Sequence, residues 1–211
     1  MTRTKPLRSG YRNRRLETPP TRRTVIGVAS QRTSAIVLGG PGGYLNGMEH
    51  TRHRPPRELT RPRELVVVCA PLRSNVNLSR IARAAGCCGV TRIIATGRPM
   101  KLDPEVARDA ADTITLENRR SLEPVLKDLR KEGFRLVGLE QTTDSHDLHH
   151  YAFERKTALV VGNERTGLTD DELALLDEAV EIPVWGLPHS YNAATATCMT
   201  LYEYCRQWPE G

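Results

Sequence analysis

The stretch NLSRIARAAG contains two polar side chains, Asn77 and Arg83. Side chains of these types can orient a hydroxyl group and bind a phosphate. A planar guanidinium can hold a phosphate through two parallel hydrogen bonds, and a carboxamide can orient a hydroxyl group. Their spacing puts Arg83 nearly two turns beyond Asn77 if the stretch is helical. Taken alone, such a pair is more typical of the solvated surface of a helix, so it needs support from elsewhere in the chain.

A second candidate site lies in the C-terminal half of the chain. The apolar run at 158–161 leads into a polar turn between Gly162 and Gly167, with Glu164 inside it. Residues 190–192 then open a predicted helix of small residues. Helix amino ends and free backbone amides gather at the carboxyl ends of parallel strands, where open α/β sheets bind ligands. We therefore predict a cofactor site in this half.

Strands and helices alternate from residue 64 onward. The run LVVVCA at 65–70 is continuously apolar, as expected of a central parallel strand covered on both faces. Asn77 is predicted as the N-cap of the first helix. Further strands are predicted at 92–95, 113–116, 135–140, 158–161 and 180–184, and helices at 78–85, 104–111, 121–132 and, behind a capping box of Thr169 and Glu172, near 170. This order predicts an α/β domain with a mostly parallel sheet and helices on both faces.

The chain divides into two parts of opposite charge. Residues 1–63 carry 14 Lys or Arg against 3 Asp or Glu, whereas residues 64–211 carry 17 against 22. The first part is rich in proline and has little hydrophobic periodicity, so we expect a largely disordered basic leader that attracts a polyanion such as RNA. Met48 stands just before the predicted domain, so an alternative is that translation starts there and that residues 1–47 come from an over-extended start. Residues 64–211 are predicted to form the single folded domain.

Composition also bears on location and on metal binding. No apolar run approaches the ~18 residues of a membrane span. The five cysteines are odd in number, lack CxxC spacing and lie in apolar contexts, which predicts buried thiols in a reducing compartment. A cytoplasmic protein is favoured, with an organelle transit peptide as the alternative for the Arg-rich start. His146, His149 and His150 have a spacing that could ligate a metal, but a polar loop explains them better, and no metal is expected.

Three motifs taken together resemble those of the TrmH-type branch of the SPOUT methyltransferases, which methylate a ribose 2'-hydroxyl of RNA. They are NLSRIARAAGCCGV, LVVGNERTGL and IPVWGLPHSYNAATA, in the order and spacing of that family, and the likeness covers about residues 64–207. The segment 136–167, in which GLEQTTDSHDL precedes the GNERTG turn, looks closest to the branch that modifies a guanosine in the tRNA D-loop. The resemblance implies S-adenosyl-L-methionine as cofactor, a homodimer with its sites at the interface, and a deep C-terminal trefoil knot, which periodicity cannot show.

The resemblance also implies roles for individual residues. The implied catalytic set is Arg83, Asn77, Glu164, Ser190 and Asn192. The cofactor is implied to bind mainly through main-chain atoms, at Gly162, Ile182 and Tyr191. Two alternatives stay open: methylation of rRNA or of a base nitrogen, and RNA binding by a SPOUT protein without catalysis.

Overall fold

The computed structural model describes residues 54–211, so the disordered leader predicted for residues 1–63 lies largely outside the described residues. Strands and helices alternate along the described part of the chain. The strands are β1 (Leu65–Cys69), β2 (Arg92–Thr96), β3 (Thr115–Arg119), β4 (Arg135–Leu139), β5 (His146–Asp147), β6 (Thr157–Val161) and β7 (Glu178–Glu181). The helices are α1 (Asn75–Cys87), α2 (Pro104–Ala107), α3 (Ala110–Thr113), α4 (Leu122–Lys131), α5 (Asp170–Leu173) and α6 (Ala193–Gln207).

These strands form one sheet in the order β3-β2-β1-β6-β4-β7-β5, and every pair of neighbours is parallel. β6 occupies the centre beside β1, and both strands are buried at all five positions. Burial on both faces explains why each of them is an unbroken apolar run in the sequence. The predicted α/β fold with a mostly parallel sheet is confirmed.

Successive residues of β1 belong to two separate cores, because side chains alternate across a strand. Val67 and Cys69 pack in the core that α1 and α6 complete, whereas Val66 and Val68 pack in the core that α4 completes. The helical members of the two cores are Leu78, Ile81, Leu201 and Tyr204 on one face and Leu122, Leu126 and Leu129 on the other. Helices therefore cover both faces of the sheet, as predicted, and α1 is held firmly against it.

The first helix begins earlier than predicted. Its N-cap is Ser74, whose backbone is extended and whose hydroxyl accepts the N–H of Asn77 at 3.3 Å. The prediction that Asn77 caps this helix is wrong, because Ser74 supplies the capping oxygen three residues earlier. Asn77 lies inside the first turn instead, and its side chain is available for a different contact.

Several other boundaries also differ from the predicted ones. β7 ends at Glu181 rather than at residue 184, and β3 spans Thr115–Arg119 rather than 113–116. The helix predicted at 104–111 is two short helices, because Arg108 adopts a positive φ of 55° that ends α2. The capping box of Thr169 and Glu172 is confirmed.

Residues just before β1 pack against the end of the last helix. The N–H of Thr60 donates to the carbonyl of Glu210 at 3.0 Å, and the guanidinium of Arg63 donates to the carbonyl of Trp208 at 2.6 Å. The ring N–H of Trp208 in turn donates to the carbonyl of Phe153 at 3.0 Å. The bonds of Thr60 and Arg63 attach residues 60–63 to the folded domain, although the sequence assigns these residues to the leader.

The prediction of uniformly buried cysteines is wrong. Cys69 is buried, but Cys87 and Cys198 are exposed. Cys198 follows the buried Thr197 on α6, and consecutive residues of a helix point about 100° apart. An apolar context in the sequence therefore does not show which side chain faces the core. Along residues 54–211, no helix combines the length and the apolar content needed to cross a bilayer.

Candidate active site

The loop after β6 is closed by its own backbone. Asn163 and Gly167 exchange two hydrogen bonds, with N to O distances of 3.1 and 3.0 Å. A Cβ at Gly162 would lie 2.6 Å from the carbonyl carbon of Gly167, and Gly167 itself has a φ of +65°. Both positions therefore need glycine, the residue that tolerates close approach and positive φ. The GNERTG sequence forms one tight turn that presents Glu164.

The carboxylate of Glu164 connects this loop to the start of α1. It accepts the N–H of Arg73 at 2.8 Å, the N–H of Ser74 at 3.2 Å and the side-chain amide of Asn77 at 3.1 Å. Burial opposes ionisation of this carboxyl, but the hydrogen bonds outweigh burial and hold the pKa of Glu164 below its ordinary value. Glu164 is thus an ionised anchor that fixes the orientation of Asn77.

Arg83 lies farther along α1 and faces solvent. Six residues of helix separate it from Asn77 by about 9 Å along the axis. Among residues 54–211, no Asp or Glu side chain forms an ion pair with Arg83. Its guanidinium is therefore available to a ligand that arrives from solution.

The third motif leads into α6, as predicted. Asn192 is the N-cap of this helix, and its side-chain oxygen accepts the N–H of Ala194 at 3.0 Å. Ser190 and Tyr191, which precede the cap, are both exposed at the mouth of a cavity. The cap fixes the point at which the segment that carries these two residues joins the helix.

This cavity has a volume of about 300 Å³ and lies at the carboxyl ends of β4, β6 and β7, beside the start of α6. Apolar side chains of Leu139, Val161 and Val184 form part of its wall. The predicted site residues that line it are Gly162, Glu164, Ile182, Ser190 and Tyr191. Asn77, Arg83 and Asn192 do not line it. The structure therefore brings the predicted cofactor residues together, with Asn77 reaching them through Glu164.

Sequence reasoning missed two carboxylates in the wall of the cavity, Glu140 and Glu181. Glu140 accepts the N–H of Leu168 at 2.8 Å, and Glu181 accepts the hydroxyl of Ser145 at 2.9 Å. Glu181 ends β7 and Glu140 directly follows β4. The rule that ligands bind at the carboxyl ends of parallel strands is the signal that singles them out. With Glu164, they favour a ligand that carries positive charge or hydrogen-bond donors.

The spacing of His146, His149 and His150 raised the possibility of a metal site. Within residues 54–211, no three His, Cys, Asp or Glu side chains come together as ligands for a metal ion. His149 and His150 are exposed, and each instead approaches Asp147, at 3.7 and 3.5 Å.

The part of the chain that forms the sheet and the cavity is similar to a known protein family. Residues 64–202 match the model of the SpoU rRNA Methylase family. The chain belongs to the SpoU family. The match begins one residue before β1 and ends within α6, so it spans the whole sheet and the cavity.

Solved SpoU structures share the fold. The TrmH/SpoU tRNA modifying enzyme of Aquifex aeolicus superimposes with a TM-score of 0.67 at 25% identity, over 72% of this chain and 79% of that one. The SpoU methyltransferase AviRb of Streptomyces viridochromogenes, in complex with the cofactor AdoMet, gives 0.62 at 27% identity, over 72% and 64%. The tRNA (guanosine(18)-2'-O)-methyltransferase of Escherichia coli is 27% identical over 146 residues, or 68% of this chain. The chain spans 64% of the length of that relative.

Proposed function

We propose that this chain transfers a methyl group from S-adenosyl-L-methionine to a ribose 2'-hydroxyl of RNA, with a D-loop guanosine of tRNA as the target. The observation that carries this assignment is the hydrogen bonding of Glu164, which joins Asn77 on α1 to the loop that walls the cavity. Membership of the SpoU family supports it. So do relatives from several bacteria, whose names specify the 2'-O position of a tRNA guanosine.

The cavity fits the cofactor in size and in chemistry. Its volume of about 300 Å³ is at the lower end of the usual range for small-molecule sites. Its apolar walls suit an adenine ring, and its carboxylates suit a ligand with a sulfonium and an ammonium group. We assign cofactor binding to the main chain at Gly162, Ile182 and Tyr191. When bound, S-adenosyl-L-methionine supplies a methyl group activated by the sulfonium.

The residues of α1 act on the RNA in this proposal. A ribose hydroxyl is a weak nucleophile, so transfer requires that its proton leave as the oxygen attacks. Arg83 grips the phosphate next to the target ribose and accepts that proton. Because a guanidinium normally stays protonated, Arg83 must first release one of its own protons to water, and the proton from the ribose hydroxyl then restores its charge. Asn77, held by Glu164, orients the hydroxyl.

The third motif shapes the pocket. Asn192 acts by capping α6, so its replacement is expected to disturb the positions of Ser190 and Tyr191, which directly precede the cap. Ser190 lies in the wall of the cavity and is assigned a hydrogen bond to the bound cofactor or RNA. These roles make Asn192 a positioning residue and place Ser190 within reach of the ligands.

A homodimer and a trefoil knot belong to the same proposal. The support for a dimer is a set of exposed apolar side chains on α6 and on the loop that precedes it. Trp185, Leu187 and Tyr202 are 81%, 80% and 73% exposed, and apolar groups of this kind are typical of protein interfaces. Sedimentation equilibrium of the chain and of Tyr202→Lys tests the dimer.

A cytoplasmic location stays a prediction, which cell fractionation checks.

Methyl transfer from radiolabelled S-adenosyl-L-methionine to purified total tRNA and to total rRNA tests the function. The full chain, a chain that starts at Met48, Arg83→Ala and Lys127→Ala are compared. Lys127 is an exposed α4 residue paired with Glu123, so it controls for the loss of one positive charge. We expect label in a D-loop guanosine of tRNA, its loss in Arg83→Ala and its retention in Lys127→Ala.

Other outcomes separate the alternatives. Label in rRNA alone would show the activity that the family description names. Cofactor binding without label in either pool would instead indicate an RNA-binding protein that has kept the fold. Equal activity from the chain that starts at Met48 would show that residues 1–47 are dispensable.

A further inference from the structure

The basic side chains of the described domain fall into two groups. Those of the first group are paired with carboxylates, and examples are Arg92 with Glu117 and Lys127 with Glu123. Those of the second group form no ion pair with any Asp or Glu among residues 54–211. Three exposed arginines of the second group, Arg73, Arg98 and Arg120, follow the carboxyl ends of β1, β2 and β3. We call these three residues the arginine row.

A chain of hydrogen bonds holds the three loops side by side. The N–H of Gly97 donates to the carbonyl of Arg119 at 3.0 Å, which joins the loop after β2 to the end of β3. The guanidinium of Arg98 donates to the carbonyl of Arg73 at 2.8 Å. The N–H of Arg73 donates to Glu164 at 2.8 Å. The arginine row therefore ends at the residue that connects α1 to the cavity.

The spacing of the sheet sets the length of the row. β3, β2 and β1 are parallel neighbours, and adjacent strands lie about 4.8 Å apart. Two such intervals give the row a length of about 10 Å. Phosphates of one strand of duplex DNA advance by about 3.4 Å along the helix axis, so about 10 Å spans about three such intervals and each arginine of the row can reach a different phosphate of a nucleic acid strand.

We propose that the arginine row binds the phosphate backbone of the RNA beside the nucleotide that enters the active site. This inference rests on the proposed function, and it names the surface through which the substrate is held. Exposed guanidinium groups bind phosphate oxygens in a bidentate manner. The row provides such groups on a domain whose residues 64–211 carry more acidic than basic side chains, 22 against 17.

An acidic protein fits this surface less well than RNA. The centre of a protein interface is usually rich in aromatic and other apolar side chains. The large apolar side chains exposed in the described domain are Val76, Trp185, Leu187, Tyr191, Met199 and Tyr202. None of them belongs to the loops after β1, β2 and β3, so these loops present charge without an apolar centre.

The test compares the full chain with the double variant Arg98→Gln/Arg120→Gln. Arg73 is left in place because its backbone bonds both Glu164 and Arg98, so a shift of this backbone would also disturb the residue that positions Asn77. The control is Lys127→Gln/Lys131→Gln, which removes the same charge from exposed pairs on α4. Equilibrium binding of tRNA is measured by fluorescence anisotropy between about 50 and 200 mM salt, the range over which phosphate contacts are strongly screened.

We expect the double variant to bind tRNA about tenfold more weakly at the lowest salt concentration. Its slope of log affinity against log salt should fall by about 1.4 to 1.8, the value for two lost phosphate contacts. The control should bind as the wild-type chain does. Arg98→Lys/Arg120→Lys retains the charges and should recover most of the salt slope.

Two further measurements keep the test decisive. Calorimetric binding of S-adenosyl-L-methionine should be unchanged in the double variant. The unfolding midpoint should fall by no more than about 4 °C, the effect of losing one hydrogen bond such as that from Arg98 to the carbonyl of Arg73. These two results exclude a folding defect. A wild-type tRNA affinity and salt slope in the double variant would overturn the assignment, as would an equal loss in the control or no tRNA binding by the wild-type chain. Normal methyl transfer together with unchanged tRNA binding in the double variant would refute the role of the arginine row and leave the proposed function standing. A reduced salt slope in the double variant, with no methyl transfer even by the wild-type chain, would support the row and refute the proposed function.

Discussion

Glu164 and Asn77 are joined by a 3.1 Å hydrogen bond although 87 residues separate them in the sequence. They meet because β1, which leads into α1, pairs in parallel with β6, which leads into the glycine loop. The loops that follow two neighbouring parallel strands lie at the same edge of the sheet. One carboxylate therefore holds together the helix that carries Arg83 and the wall of the cavity.

Replacement of Glu164 by Gln is expected to weaken this connection. Gln keeps the size of the side chain but offers one acceptor oxygen in place of two. Its NH₂ group then faces either the N–H of Arg73, which Oε2 accepts, or the donors of Ser74 and Asn77, which share Oε1. We expect the free energy of unfolding to fall by about 1 kcal/mol. Methyl transfer should fall by more than about tenfold, because Asn77 loses its orientation.

Urea denaturation and single-turnover methyl transfer measure the two effects of Glu164→Gln. Glu123→Gln, on the exposed face of α4, is the control and should change neither quantity. Full activity with reduced stability would limit Glu164 to a structural role.

Gly162→Ala is expected to damage the proposed cofactor site directly. The added Cβ would lie 2.6 Å from the carbonyl carbon of Gly167 and 2.8 Å from the nitrogen of Leu168, and both are backbone atoms that cannot rotate away. The loop must shift, so we expect the affinity for S-adenosyl-L-methionine to fall by at least about tenfold. Isothermal titration calorimetry measures the affinity. Gly186→Ala is the matched control, since a Cβ there meets nothing within 4 Å, and equal losses in the two variants would contradict this explanation.

The strands of this fold could be predicted because a strand that is buried on both faces is a continuous run of apolar residues in the sequence. LVVVC in β1 and TALVV in β6 are covered on both faces and therefore contain almost only apolar residues. The start of α1 could not be placed, since Ser74 and Asn77 are both good capping residues and nearby sequence does not choose between them. The choice is made by Glu164, which binds Asn77 from another part of the sheet.

The cavity was only partly predictable for a related reason. Gly162 and Tyr191 could be assigned because they belong to recognisable motifs. Glu140 belongs to none of these motifs, and its place after β4 makes it only a candidate for a ligand site. Its position in the wall of this cavity depends on β4 lying between β6 and β7, and strand order is a non-local property. Hydrophobic periodicity predicts the strands and helices. The order of the strands in the sheet, which periodicity does not predict, decides which loops lie next to one another at the cavity.

Asp177→Asn is expected to destabilise the domain in a pH-dependent way. Asp177 accepts the N–H of Leu136 at 2.8 Å and the guanidinium of Arg130 at 2.8 Å. Burial opposes ionisation, but these bonds outweigh it and lower the pKa of Asp177 from its ordinary value of 3.8. A lowered pKa in the folded state stabilises the protein above the unfolded value, and this contribution disappears as the pH falls through the folded value.

We expect Asp177→Asn to lower the free energy of unfolding by about 1 to 2 kcal/mol at pH 7. The difference from wild type should shrink once the pH falls below the ordinary Asp value of 3.8. Urea denaturation across this range measures it, with Asp144→Asn on an exposed loop as the control. A difference that stays constant with pH would show that the charge of Asp177 contributes nothing.

Arg83→Lys separates charge from geometry in the proposed reaction. Lys keeps the positive charge but cannot reproduce the planar fork of a guanidinium, which we assign to the phosphate beside the target ribose. Because Arg83 is exposed and has no acidic partner among residues 54–211, its replacement should leave the thermal unfolding midpoint unchanged. We expect kcat to fall by about 10²-fold, the lower range for a lost proton-transfer group, with little change in cofactor affinity. Arg80→Lys, an exposed position on the same helix, is the matched control in the same steady-state assay. If Arg83→Lys were as active as Arg80→Lys, charge alone would suffice at this position, and the base would have to be sought among the other groups near the cavity.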